Sequence, residues 1–353
     1  MRYQIATIPG DGIGTEVVPA AQRVLERAGT MWDFELVWDT SEWGCEYYTR
    51  TGSMMPADAL DQLREQDAVF LGAVGYPGVP DHVSLWGLLI PIRRAFRQRV
   101  NFRPIRLFPG IDGPLRDTGD GIDFVVVREN NEGEYSEIGG RIYRGLEEEI
   151  AIQESVFTRR GVRSVMEYAF DLAGQRSGRL LSATKSNGIV HTMPFWDEVF
   201  SDLAPSYPAV EVSQMHIDAL AAYFVQRPQN LDVVVASNLF GDILSDLGAA
   251  VAGSIGIAPS ANLDPTRTHP SMFEPVHGSA PDIAGKGVAN PIGQIWSGAL
   301  MLDHLGQEQA GAAVVDAIAA VLADGGPRTP DLGGTAGTEE VTAAVVDALG
   351  DSR

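Results

Sequence analysis

The chain has 353 residues, 44% of them hydrophobic, which suffices for two domains or one large divided core. A formal charge of −21 repels nucleic acid and anionic membrane surfaces, so neither is expected as a partner. Cys45 is the single cysteine, which excludes an intrachain disulfide. With no signal-like N-terminal pattern and only strand-sized apolar runs, the expected location is a reducing cytoplasm.

Strand-like and helix-like segments alternate from the start. "YQIATI" (3–8) reads as a strand, turns through "PGDGIG" and enters the helical "TEVVPAAQRVLERAG", with Val17, Ala21, Val24 and Leu25 on one face. "FELVWD", "AVFLGAV", "DFVVVRE" and "LDVVVAS" are further buried strands. Helices are predicted over "PADALDQLREQ" and over 159–174, the latter ended by Gly174. Residues 134–158 break the rhythm and read as a β-arm or hairpin, and two helices close the chain. Such alternation implies an α/β architecture with a substantially parallel sheet.

Six motifs carry chemistry. "IPGDGIGTE" has Thr15 where a G-x-G-x-x-G fingerprint needs glycine, which disfavours a Rossmann site. It leaves a bare-backbone turn able to approach a ligand. Arg93, Arg103 and Arg128 lie in or beside apolar or Pro-restricted segments. Three guanidinium forks converging on one cleft would hold a dicarboxylate, although structural ion pairs explain each one singly. Arg94, Arg97 and Arg99 read as surface residues. Tyr135 in "ENNEGEYSE" and Lys185, beside Ser182 and Thr184, are candidates for proton transfer.

The fifth motif, "NLFGDILSD" (238–246), sets Asp242 and Asp246 four apart, followed by no charge from Leu247 to Leu263. Asp242 is expected to begin a helix, with Ile243, Leu247 and Val251 as the core stripe opposite the acids. Two like charges at this spacing need something positive between them. Mg²⁺ or Mn²⁺ is the economical answer, with Asp218 of "HIDAL" as a third ligand, and plain helix capping by Asp242 is the alternative. The sixth motif, "FEPVHGSAPDIAGKGVANP" (273–291), is a long loop. Its His277, Gly278, Ser279 and Ala280 suit an adenine and ribose, and Asp282 would accept from ribose hydroxyls while rejecting a 2′-phosphate.

Taken together and in order, "IPGDGIGTEV", "LGAVG", "NFRP", "VRENNEGEY", "DVVVASNLFGDILSD" and "FEPVHGSAPDIAGKGVANP" resemble the β-decarboxylating dehydrogenases, from residue 5 to "RTPDLGG" at 328–334. "WGCEYYTRTGSMMP" (43–56) and "PDHVSLWGLLIPIRRAF" (80–96) resemble the branch acting on tartrate and D-malate. The resemblance implies a two-domain α/β fold without Rossmann topology, a mixed sheet flanked by helices. Residues 1–98 and 257–353 would form a large discontinuous cofactor domain. Residues 99–256 would form a small domain with the dimer interface and the β-arm. It further implies a homodimer with shared sites, in which Asp242 and Asp246 bind Mn²⁺ or Mg²⁺ together with Asp218 of the other copy. Lys185, also from the other copy, would be the base and Tyr135 the acid. Arg93, Arg103 and Arg128 would hold the substrate, and Ser84 and Trp86 tilt the pocket towards a small polar one. NAD would sit on Ile13, Gly75, Glu274, His277, Gly278, Ser279, Ala280, Asp282 and Asn290, and the branch suggests K⁺ as well. The implied reaction is NAD-dependent oxidation and decarboxylation of D-malate, or oxidation of tartrate. The rival within the family is 3-isopropylmalate dehydrogenase, for which Leu88, Leu89 and Ile90 offer apolar surface.

Overall fold

The structure of the protein, a computed structural model, describes residues 1–119 and 121–351. In chain order the strands are β1 (Arg2–Gly10), β2 (Glu35–Thr40), β3 (Ala68–Ala73), β4 (Val100–Arg106), β5 (Asp123–Glu129) and β6 (Gly139–Ile142). They continue as β7 (Ile150–Gln153), β8 (Arg179–Thr184), β9 (Glu211–His216), β10 (Val233–Ala236), β11 (Pro259–Leu263) and β12 (Ser271–Pro275). One ten-stranded sheet runs β2-β1-β3-β12-β11-β4-β5-β10-β8-β9. Its pairings are parallel except at β12–β11, β11–β4 and β4–β5. A mixed sheet in this order is not the Rossmann arrangement, in agreement with Thr15 in the first turn.

The strands of 1–98 and 257–353 occupy one half of the sheet and those of 99–256 the other; they meet where Asn101 pairs with Asn262. Buried amides cross this seam. Asn101 Nδ2 donates to Ser260 Oγ at 2.7 Å and Asn130 Nδ2 to Asn262 Oδ1 at 2.8 Å, and on one side of the seam Asn262 Nδ2 continues to Glu274 Oε1 at 2.7 Å. These bonds specify partners across the seam and so its register, which a purely apolar seam would leave free to slip; Asn101 Oδ1 and Asn130 Oδ1 are left buried without a partner.

Strands covered on both faces read as unbroken apolar runs, and all residues of β3 and β10 are buried. The helix Gly14–Trp32 packs Val17, Ala21, Val24 and Leu25 inward, all fully buried. The helix Ile292–His304 left no periodic signal because it is buried nearly all round. Arg159–Gln175 passes through Gly174 and ends later, because Gly178 (φ +79°) supplies the left-handed residue and donates to Ala173 O at 3.0 Å. Strands β6 and β7 form an antiparallel hairpin exposed at every residue, the arm expected over 134–158.

Phe124 on β5 is fully buried and meets Phe224 edge-on at 5.0 Å. A Cβ on Gly248 would lie 2.3 Å from Ile105 Cδ1 and 3.4 Å from Phe124 Cζ, so the helix Asn238–Val251 sits close on this ring. Phe124→Ala should cost about 3–5 kcal/mol in urea unfolding, and a loss under about 1 kcal/mol would show that the ring does not seat that helix.

Candidate active site

The helix Asn238–Val251 begins one turn earlier than expected, so Asp242 is neither its first residue nor its cap. Its open N-terminus is served by Glu134, whose carboxylate accepts from Ser237 Oγ at 2.8 Å and from Leu239 N–H at 3.0 Å. The expected stripe is also corrected. Ile243 is 53% exposed, Val251 is buried and Leu247 partly buried as expected, and Phe240 and Leu244 join them towards the core. Helical periodicity was right, but the solvent-facing side carries Ile243 as well as the acids.

Asp242 is where the site converges. Tyr135 Oη donates to Asp242 Oδ2 at 2.8 Å, and Arg128 Nη1 bonds Asp242 Oδ1 while its Nη2 donates to Asn238 Oδ1 at 2.7 Å. Arg103 Nη1 donates to Ser245 Oγ at 2.6 Å and lies 3.5 Å from Asp242 and 3.6 Å from Asp246. One guanidinium therefore faces both carboxylates. Gly241 is required here, since a Cβ would meet Arg128 Cβ and Cγ at 2.6 Å. Arg93 is buried and bonds Glu274 Oε1 at 2.7 Å, at the end of the amide ladder from the sheet seam.

The charges of this cluster oppose one another. Burial raises the Asp242 carboxyl, but Arg128 and Arg103 outweigh it and hold the group below the ordinary carboxylate range. Asp246 is raised by burial, which Arg103 only partly offsets. Burial lowers the Arg128 guanidinium to about 10 despite Asp242. Burial, then Asp242, raises the Tyr135 phenol, so it remains protonated and able to donate at neutral pH.

Lys185 and Asp218 lie elsewhere. Lys185 Nζ bonds Asp218 Oδ1 at 2.6 Å, with the Asp218 side chain 69% exposed, and neither contacts the Asp242 cluster within this chain. Ser182 is occupied by the Trp196 indole N–H at 2.9 Å. Ser84 is buried and its hydroxyl donates to Asp81 O. Trp86 lies under the Arg94 guanidinium, 4.9 Å from the ring centroid. Arg94 is therefore not a plain surface residue, and Arg99 is likewise largely covered, beside Glu132.

The Gly-rich turn and the loop following β12 pack together. Ile13 N–H donates to Ser279 O at 2.9 Å, and a Cβ on Gly12 (φ +56°) would fall 2.1 Å from that same oxygen. Asp11, unremarked in the sequence, accepts from Cys45 N–H and Gly75 N–H, both at 2.9 Å, and so fixes this corner. Glu16 accepts from Gly285 and Gly287 N–H. The result is a cleft of about 250 Å³ lined by Ile13, His277, Ala280, Ile283, Asn290 and Asp331, among others. His277 Nδ1 bonds Gly278 O, Nε2 is buried without a partner, and burial lowers the ring's pKa. Ser279 is buried, Gly75 (φ +135°) faces its hydroxyl, and Asp282 is exposed outside the cleft lining. Asp331 was missed; its carboxylate accepts from Ser254 Oγ at 2.6 Å and Asn290 Nδ2 at 3.0 Å. The only sequence signal was its place in "RTPDLGG".

A model of the family described as isocitrate/isopropylmalate dehydrogenase matches residues 4–348. The chain belongs to that family. A probable tartrate dehydrogenase/decarboxylase of Bacillus subtilis is 56% identical over 350 residues, covering 99% of this chain and 98% of its own. The D-malate dehydrogenase (decarboxylating) of Escherichia coli is 57% identical over 352 residues, covering 97% of each. The crystal structure of isocitrate dehydrogenase from Methylococcus capsulatus superposes with a TM-score of 0.89 at 35% identity, covering 98% of this chain and 99% of that one. As a member of the isocitrate/isopropylmalate dehydrogenase family, the protein is an oxidoreductase. No helix among the described residues is long and apolar enough to cross a membrane.

Beside Arg128, Glu129 is fully buried and accepts from the Asn131 and Glu132 N–H groups, holding the start of the loop that carries Tyr135. Burial pushes its carboxyl up to about 7, against an ordinary 4.5. The folded chain thus keeps a proton that the unfolded chain has released, so this contribution to stability fades as pH rises through about 7. Glu129→Gln should flatten the parent's loss of stability between about pH 5 and pH 8 by roughly 2–3 kcal/mol in denaturant titrations. Superimposable pH profiles for the two proteins would refute it.

Proposed function

We propose that the enzyme oxidises and decarboxylates a small 2-hydroxy dicarboxylate, D-malate to pyruvate and CO₂, and oxidises tartrate to its 2-oxo acid, with NAD and Mn²⁺ or Mg²⁺. The observation that carries the reading is Arg103 facing both Asp242 and Asp246, with Arg128 and Tyr135 on Asp242. The names of the Bacillus and Escherichia relatives support the substrate class.

The charges support a divalent ion. Arg93 is balanced by Glu274, and Arg103 and Arg128 balance Asp242 and Asp246. A dianionic substrate then leaves two negative charges in a largely buried site, and a divalent cation on oxygen ligands restores neutrality. No group of three potential ligands occurs among the described residues of one chain. Asp242 and Asp246 would hold the ion with Asp218 of a second copy. Arg103 already stands where positive charge is required.

The cleft at the Gly-rich turn suits one half of NAD. Its volume of about 250 Å³ is below the roughly 300–1,000 Å³ of pockets that take a whole ligand. Its walls are largely aliphatic, and the free His277 Nε2 offers a bond to a ribose or base. Asp331 at its edge and Asp282 nearby disfavour a 2′-phosphate, and hence NADP.

The two halves of the sheet are read as the two domains, 1–98 with 257–353 and 99–256, and the working unit as a homodimer. Lys185 and Asp218 sit apart from Asp242 within one chain, so they reach a shared site only from another copy. The arm exposes Ile138, Ile142, Tyr143, Leu146 and Ile152, each more than half accessible, which suits a second subunit.

When bound, the divalent ion supplies Lewis acidity at the 2-hydroxyl and NAD supplies the hydride acceptor. Arg93, Arg103 and Arg128 would hold the substrate carboxylates with the N–H groups that Glu274, Ser245, Asp242 and Asn238 leave free. Lys185 takes the hydroxyl proton as the C2 hydrogen leaves as hydride. The 2-oxo acid then releases CO₂, and Tyr135, kept protonated by burial and by Asp242, returns a proton to C3. With tartrate, the second hydroxyl allows the reaction to stop at the 2-oxo acid.

With Mn²⁺ and NAD, D-malate and L-tartrate should outpace 3-isopropylmalate in NADH formation; the reverse order would transfer the enzyme to the 3-isopropylmalate reading. Lys185→Met should lower kcat by at least about 10²-fold while NAD affinity by fluorescence titration stays unchanged. Retained turnover would remove Lys185 from the mechanism.

A further inference from the structure

One arginine beside the proposed substrate-holding set has no role in that scheme. The Arg94 guanidinium covers the Trp86 indole at 4.9 Å, donates to Tyr135 O at 3.3 Å and bonds Glu137 Oε2 at 2.5 Å. Tyr135 lies on the loop whose Glu134 caps the helix of the two carboxylates. One side chain thus joins the segment carrying Trp86 to the segment carrying the acid.

The Trp86 segment is locally unusual. From Leu85 to Leu89 the helix widens, and Ile90 N–H bonds Leu85 O, five residues back. Pro91 follows and has no N–H to offer Gly87 O, so an ordinary turn would leave that carbonyl without its partner. A Cβ on Gly87 would lie 2.6 Å from Met54 Cγ, so the backbone beneath the indole has no room to shift that way. Widened turns of this kind recur at functional sites.

We propose that Arg94 is a positioning residue that sets which C3 substituent the pocket admits, by fixing the Trp86 indole as a wall and tying that wall to the Tyr135 loop. The inference rests on the function proposed above. Held in place, the indole leaves room for hydrogen or hydroxyl at C3 and excludes a branched alkyl group. Released, it turns away, and the Tyr135 loop loses the same anchor. A cation over an indole face is held by the ring quadrupole, an attraction that methionine of similar length cannot supply. Glu137, bonded to the guanidinium, keeps the pair near neutral in a strongly acidic protein.

The test compares Arg94→Met, Arg94→Lys and Trp86→Ala in the full chain, with NAD and Mn²⁺. Arg94→Met should lower the preference for D-malate over 3-isopropylmalate, as a ratio of kcat/KM, by about tenfold. Both kcat and KM for D-malate should worsen, and Arg94→Lys should recover part of the preference. Trp86→Ala should reproduce the altered ratio with a smaller effect on kcat. Hydrogen exchange judges the clamp without turnover: residues 84–92 and 131–138 should lose protection together in Arg94→Met, whereas Trp86→Ala should leave 131–138 protected. Unchanged exchange in both segments overturns the clamp, and altered exchange with an unchanged substrate ratio overturns its role in selectivity. If the parent enzyme turns over neither substrate, the proposed function fails while the exchange result still decides whether Arg94 couples the segments.

Discussion

Asp242 is the constraint on which the rest of the site depends. A single half-buried carboxylate is shared by Arg128, Arg103 and Tyr135, which come from two strands and a loop. Taking two guanidinium groups out of water is unfavourable unless an anion meets them at close range. The helix Asn238–Val251 brings that anion in on a rigid element, seated over Phe124 and capped by Glu134. Removing the acid would strand Arg128 and leave Arg103 only Asp246, and moving the helix would strand both. Fold and site are therefore one problem in this protein.

The Arg103 geometry also resolves a puzzle raised by the sequence. Two acids four apart on a helix repel, and something positive has to lie between them. Within one chain that positive charge is a guanidinium, 3.5 Å from Asp242 and 3.6 Å from Asp246. A substrate dianion upsets this balance, which is the physical case for a divalent ion arriving with it. The same bookkeeping explains why a chain of charge −21 can bind an acid at all. Its buried arginines, Arg93, Arg103 and Arg128, are gathered at the join of the two halves of the sheet, where they cancel Glu274, Asp242 and Asp246 and leave the site neutral before an ion and a substrate arrive together.

Much of the site was legible in the residues themselves. The spacing of Asp242 and Asp246 placed both on one face, and the buried run "DFVVVRE" marked Arg128 as a cation needing a partner. The failures have physical causes. Asp242 looked like a helix start although Ser237, the true N-cap, is a residue type favoured there; its hydroxyl makes no capping bond and is given to Glu134, which serves the first turn from far along the chain. Arg94 looked like surface because its ring and carboxylate partners cannot be read from neighbouring residues. Asp11 and Asp331 act by organising turns through long-range bonds, and neither sits in a pattern with a period.

By itself the sequence determined the alternation of buried strands and amphipathic helices, and the kinds of groups available: acids in pairs, arginines in apolar surroundings, a bare Gly-rich turn. These follow from periodicity and from the cost of burying charge, which are local properties. Only the tertiary structure decided which groups meet. The antiparallel pairing of β4 with β11 and β5 sets Arg103 and Arg128 against one helix, while the partly covered Lys185 pairs with the exposed Asp218 away from it. Contacts between residues a hundred or more positions apart depend on strand order and register, and no short stretch of chain encodes either.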